Sequence, residues 1–354
     1  MSDSRRVFAV GAIGALAIVA ALFVVGRGSA SKTGTAHAAQ GRLVGFRIAA
    51  PPVNNPDRPP SDIQQPGGVL GYAIHLGTFQ QELARAGFEY LGLRGFPRTA
   101  ACMLALATGQ VEVASTGDSP ALLSRARGDK HRAIYLTPPE SETWVVARKG
   151  GPTSLRELAG KKVGTLFGST FDYYFQVVVA KLGIAGIEYA QLQGPAALPA
   201  LQKGALDAYL TPATTAALWQ RKYGLPVIGR LSEVDPKLKG IGITTAREDF
   251  INANPGFPAA YYRALKTAID AIQKDKEAYF AWQSDATGVP IDILRASEPL
   301  KFAETPIPEE SVAALREMLE FRLKTNVANS WFDVREWVVE PEQNRREARS
   351  EHQR

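Results

Sequence analysis

V-E-V-A-S-T-G-D-S-P-A-L-L, residues 111–123, is the stretch that decides how this chain folds. Val111, Val113 and Ser115 alternate with small or polar residues, the period-2 pattern of a short strand. Thr116-Gly117-Asp118-Ser119 then turns the chain. Pro120 stands where the first turn of a helix needs no N–H, so Asp118 or Ser119 is the expected N-cap. A strand that feeds a helix in this way aims free N–H groups and the positive end of the helix dipole beyond the strand's carboxyl end, where open α/β sheets bind ligands. The turn reads either as one half of an anion-holding site or as a plain capped turn.

The same alternation continues on both sides. Residues 43–50 form a strand, 51–68 a loop rich in proline, asparagine and glycine, 70–86 a helix, 90–96 a strand and 97–108 a helix; beyond the central stretch lies a strand over 133–137. Strands separated by single helices imply right-handed crossovers and a parallel sheet. A second series then begins with a strand over 143–148 and a short helix over 153–158, with capping-box spacing from Thr153 or Ser154 to Glu157. A strand over 162–167 runs into Gly168-Ser169-Thr170 and a helix that ends at Leu182. Strands over 187–192, 206–210 and 227–231 alternate with helices over 195–203 and 212–223, and a strand over 241–245 returns. The remainder reads as helical over 255–282, 290–295 and 308–324. Each series therefore has one turn of small residues leading from a strand into a helix. If the two sheets face each other, both helix starts point into one cleft and grip a small anion without a buried lysine or arginine.

The first residues read as targeting. Arg5-Arg6 precede an apolar and glycine run over 7–26, and Ala36-His37-Ala38 closes the segment as an A-x-A cleavage signature, giving a twin-arginine-like signal over 1–38. The alternative is an uncleaved anchor, since the run is long enough to span a bilayer. Both readings put the bulk of the chain outside the cytoplasm, in the periplasm. The leader carries Arg5, Arg6, Arg27 and Lys32 against Asp3, so the net charge of +6 falls to about +3 without it. A nucleic-acid-binding domain is expected to be more basic than that, with its charge clustered. Cys102 is the single cysteine, so no disulfide closes within the chain. The four histidines, His37, His75, His131 and His352, have no metal-ligand spacing, and neither an H-E-x-x-H helix nor a G-x-S-x-G elbow occurs. No cofactor or metal is expected, and no catalytic residue.

Residues 96–128, F-P-R-T-A-A-C-M-L-A-L-A-T-G-Q-V-E-V-A-S-T-G-D-S-P-A-L-L-S-R-A-R-G, resemble the nitrate, aliphatic sulfonate and taurine group of substrate-binding proteins of ABC importers. Residues 153–184, with S-L-R-E-L-A-G-K-K-V-G-T-L-F-G-S-T, and the Ala253-Asn254-Pro255 turn resemble the same group. The resemblance implies a type II periplasmic-binding-protein fold, two α/β lobes joined by two hinge linkers with a ligand cleft between them. Lobe 1 is expected over 42–138 and 247–340, lobe 2 over 143–240, and a disordered tail over 341–354. It further implies that Thr116, Gly117, Asp118, Ser119, Gly168, Ser169 and Thr170 line the cleft. The chain departs from the group's pattern at Thr211-Pro212, flanked by Tyr209, and at Pro51, where an insertion follows the first strand. Both loops are expected to touch ligand. Trp144 lies near the proposed crossing between lobes and either packs on the solute or belongs to the core.

The expected function is capture of a small anionic organic solute, an alkanesulfonate or a taurine-like molecule, and its delivery by a monomer to an ABC permease in the inner membrane. A thiamine-pyrimidine-type precursor, another non-sulfonate solute and a membrane-anchored receptor are the alternatives. The insertion over 54–65 is either a lid or a solvated loop.

Overall fold

In the computed structural model the described residues are 43–53, 65–192 and 194–340. The expected signal over 1–38, nearly all of the insertion over 54–65 and the tail over 341–354 lie outside them. Twelve strands are described: β1 (Val44–Ala50), β2 (Pro52–Val53), β3 (Gln65–Pro66), β4 (Phe88–Gly95), β5 (Val113–Gly117), β6 (His131–Leu136), β7 (Thr143–Ala147), β8 (Lys162–Thr165), β9 (Glu188–Gln191), β10 (Ala208–Pro212), β11 (Val227–Arg230) and β12 (Gly242–Arg247). They build two five-stranded sheets, ordered β4-β1-β5-β12-β6 and β11-β7-β10-β8-β9, with β2 and β3 paired as a short ribbon.

Neither large sheet is wholly parallel, which corrects the sequence expectation. β1 runs parallel to β4 and β5, but β12 is antiparallel to both its neighbours, β5 and β6. In the second sheet β7 is antiparallel to β10 and β11, while β8 is parallel to β9 and β10. The chain passes from one sheet to the other over 137–142 and returns over 235–241. The two crossings lie side by side: Gly240 N donates to Ser141 O at 2.8 Å, Thr137 N to Gly242 O at 2.9 Å and Gly242 N to Thr137 Oγ1 at 2.9 Å.

Two expected helices are broken in the structure. The segment over 70–86 divides into Gly68–His75 and Thr78–Arg85, because Gly77 adopts a left-handed φ of 72° between them. The segment over 255–282 stops at Lys274 and restarts at Lys276, where Asp275 caps the second helix by accepting from Ala278 N. The aromatic core behind the first sheet explains the packing of these helices. Phe257 meets Phe46, Phe88 and Phe250 edge-on at 4.9–5.1 Å, and Phe79 meets Tyr261 at 5.5 Å. Such edge-to-face pairs favour one arrangement of rings over others of equal burial. The expected capping box forms only in part: Thr153 N and Oγ1 donate to Glu157 at 2.9 and 2.8 Å, but the helical turn is the short 3-10 segment Arg156–Leu158, whose N-cap is Leu155, with no hydroxyl capping it.

Candidate functional site

β5 ends at Gly117 and the next helix, Asp118–Ala126, begins at once, so Gly117 is the N-cap and Asp118 the first helical residue. The second turn behaves as expected: Ser169 caps Thr170–Leu182 by accepting from Asp172 N at 3.3 Å. Gly168 holds φ at 76°, a left-handed conformation that a side chain resists.

The structure brings the two turns into direct contact. Asp118 is fully buried and accepts from Ser119 N at 2.6 Å, Ile241 N at 3.0 Å, Tyr174 OH at 3.2 Å and Thr170 Oγ1. Burial is the main influence on its carboxyl and raises its pKa, against the pull of those four donors. Ser119 Oγ donates to Gly168 O at 2.8 Å and accepts from Arg322, itself fully buried. A Cβ on Gly117 would stand 3.3 Å from Thr170 Oγ1. The polar atoms that the sequence offers to an anion are thus satisfied by one another, and the turns fasten the two sheet-bearing parts together. Thr170→Val keeps the side-chain shape and removes one donor from a buried carboxylate. It is expected to cost about 2 kcal/mol, measured by urea unfolding, with Thr170→Ser close to wild type.

The other expected site residues are placed as follows. Thr116 is buried, with Oγ1 3.7 Å from Met103 Sδ. Tyr209 packs on Trp219 at 5.9 Å, within the second sheet's core. Thr211 is buried in β10. Trp144 is half-buried beneath Arg230, whose guanidinium carbon lies 4.3 Å from the ring centre. Pro51 precedes the β2–β3 ribbon, half-buried.

A cavity of about 370 Å³ opens beside the crossings, and none of those eleven residues lines it. Its wall comes from segments far apart in sequence: the helix start at Gly67–Leu70, Ser115 and Tyr135 of the first sheet, and Thr137–Glu142 of the first crossing. Pro212–Thr214 closes it from the second sheet, and Tyr261, Tyr279, Gln283, Glu298 and Phe302 from the later helices and loop. Gly71 brings the first helix close, since a Cβ there would meet Pro66 O at 1.9 Å. Glu140, Glu142 and Glu298 are the charged side chains among the described lining residues. Lys239 neutralises Glu142 at 3.3 Å, and Ser232 Oγ also donates to it. Glu140 accepts from Lys301 N at 3.1 Å, and burial, with the nearby Glu298 charge, pushes its pKa to about 7. Glu298 accepts from Tyr279 OH at 3.2 Å and is also raised, chiefly by burial. The sequence carried one available sign of this, the pair Glu140 and Glu142 within the expected crossing of a mildly basic chain. Gln283 and Glu298 lie in segments without any motif.

Two mixed sheets joined by paired crossings, with a cavity beside them, define the periplasmic-binding-protein fold. The chain belongs to the NMT1/THI5-like family, which matches residues 97–278. It is 26% identical over 183 residues to the taurine-binding periplasmic protein of Escherichia coli (strain K12), a match covering 51% of this chain and 56% of that protein. The alkanesulfonate-binding protein of Xanthomonas axonopodis pv. citri, solved bound to MOPS, superposes with a TM-score of 0.70 at 17% identity, covering 84% of this chain and 99% of that one. The periplasmic aliphatic sulphonate binding protein of Escherichia coli gives 0.66 at 17% identity, over 84% and 92% of the two chains. The last two likenesses concern the fold.

Proposed function

We propose that this chain is the periplasmic solute-binding component of an ABC importer, holding a small organic solute in the cavity beside the crossings and handing it to a membrane permease. The observation that carries this reading is the cavity's place: both sheet-bearing parts contribute to its wall next to two short hydrogen-bonded crossings, the arrangement in which a hinge rotation would open or close it. The names of the relatives support the role. Thiolate chemistry has little support from the residues, because Cys102 is buried and burial pushes its thiol up to about 12.

The finer expectation, an alkanesulfonate or taurine-like solute, draws on the same relatives. Helix starts at Gly68–Leu70 and Ala213–Thr214 border the cavity and suit an oxyanion. The three glutamates of the wall weigh against a plain alkanesulfonate and favour a solute with an amine, such as taurine, or the non-sulfonate alternative. A thermal-shift screen of ligand-free protein tests the role, using taurine, alkanesulfonates, nitrate, carboxylates and aminopyrimidines. A ligand at a hundred times its Kd stabilises the fold by about 2.7 kcal/mol, which raises the melting point by a few degrees. No shift with any of these would count against the reading.

A further inference from the structure

Resting on the solute-binding reading above, we propose that the solute carries a cationic, N–H-rich head, a protonated amine or an amidinium, which docks against Glu140 and Glu298 with Gln283 Oε1 as a third acceptor. The cavity wall offers acceptors at this point, and the cations around it are drawn to other partners. Lys301 Nζ is engaged by Glu310 at 2.9 Å, and Lys239 by Glu142 at 3.3 Å. Arg295 pairs with Glu277, and Arg230 lies over Trp144. Each carboxylate has room for about four hydrogen bonds, and the described partners of Glu140 and Glu298 leave several of these places free.

Gln283 supplies an independent observation. It is 8% exposed, it lines the cavity, and its Oε1 is buried with no hydrogen-bond partner. Its amide group interacts favourably with the Glu298 carboxylate, which fixes N–H toward Glu298 and leaves the oxygen as an acceptor. A buried carbonyl without a donor is costly, so a ligand N–H is the natural complement. Tyr135, Tyr261 and Tyr279 line the same cavity and lower its polarity, which strengthens a charge pair within it. Burial first, then the neighbouring Glu298 charge, raises Glu140 to about 7, so this carboxyl holds a proton up to neutral pH, and burial raises Glu298 as well. A bound cation displaces that proton. Affinity is therefore expected to rise as pH climbs past 7 and to fall below it.

The test uses two matched pairs of probes, taurine against isethionate and benzamidine against benzamide, titrated by calorimetry at pH 6 and pH 8. The cationic member of at least one pair should bind ten-fold or more tightly than its neutral-headed partner at pH 8, and this advantage should shrink at pH 6. In Glu140→Gln and Glu298→Gln the advantage should vanish, with cooperative melting showing that each variant is folded. Equal affinity within both pairs, or an advantage that survives in both variants, overturns the proposal while binding itself upholds solute capture. If no probe binds, the proposal also falls. Native mass spectrometry of freshly purified protein then decides solute capture separately, by whether a small-molecule mass travels with the chain.

Discussion

Arg322→Met is expected to lower the unfolding free energy by about 3–5 kcal/mol, the usual result of removing one partner of a buried charge pair. Arg322 has no exposed surface and stands in the helix Glu309–Lys324. Its Nη2 donates to Ser119 Oγ at 3.0 Å and to Ser169 O at 2.9 Å, its Nη1 lies 3.4 Å from Asp172 Oδ2, and its guanidinium covers Tyr173 at 5.2 Å. Methionine keeps most of the stem packing but leaves Asp172 buried without its cation. The measurement is a urea titration, in which the midpoint should drop while the slope holds. Adding Asp172→Asn should recover part of the loss, because the stranded charge is then removed as well. If the single variant unfolds at the wild-type midpoint, the residue has no such structural role.

The second large effect is acid sensitivity at His131. The imidazole is 1% exposed, neither ring nitrogen has a partner, and Trp337 meets it edge-on at 5.9 Å. Burial first, then the Arg125 and Arg127 charges, lower its pKa to about 4, with Asp129 opposing. The unfolded chain binds this proton near pH 6.5, so the group's contribution is complete above that value and is lost as pH falls toward 4. A gap of that size corresponds to roughly 3 kcal/mol. Asp118 and Glu140 act in the opposite direction, because their raised carboxyl pKa values favour the folded state on acidification. The difference between wild type and His131→Phe isolates the histidine: the variant's unfolding free energy should fall less between pH 7 and pH 4.5. Parallel pH curves for the two proteins would falsify the assignment.

What the sequence made legible was local. Gly168-Ser169-Thr170 could be read because a small residue, a capping hydroxyl and a helix stand next to each other, and the pairing of Thr153 with Glu157 because the two stand about one turn apart. Strand direction was another matter. A period-2 pattern such as that of 241–245 is the same read either way, so nothing in it marks β12 as antiparallel to both neighbours. The cavity was legible only in part, since Tyr135, Thr214, Gln283 and Glu298 meet through topology, with no shared motif. Asp118 and Thr170 illustrate the opposite limit. Their donors and acceptors were evident from residue type, but a sequence does not say whether such groups will meet a ligand or one another.

The place of β12 also bears on how the chain comes together in time. It lies between β5 and β6, yet it follows them only after the whole second sheet has been laid down. Until residues 242–247 arrive, β5 and β6 each present an open edge, and closing that gap brings together positions more than 100 residues apart, Ala246 with Val113 and Arg247 with His131. Contacts of such long range are slow to form. A chain emerging from its N-terminus therefore completes its second sheet before its first, and a truncation ahead of Gly242 would leave two bare strand edges free to pair with other molecules.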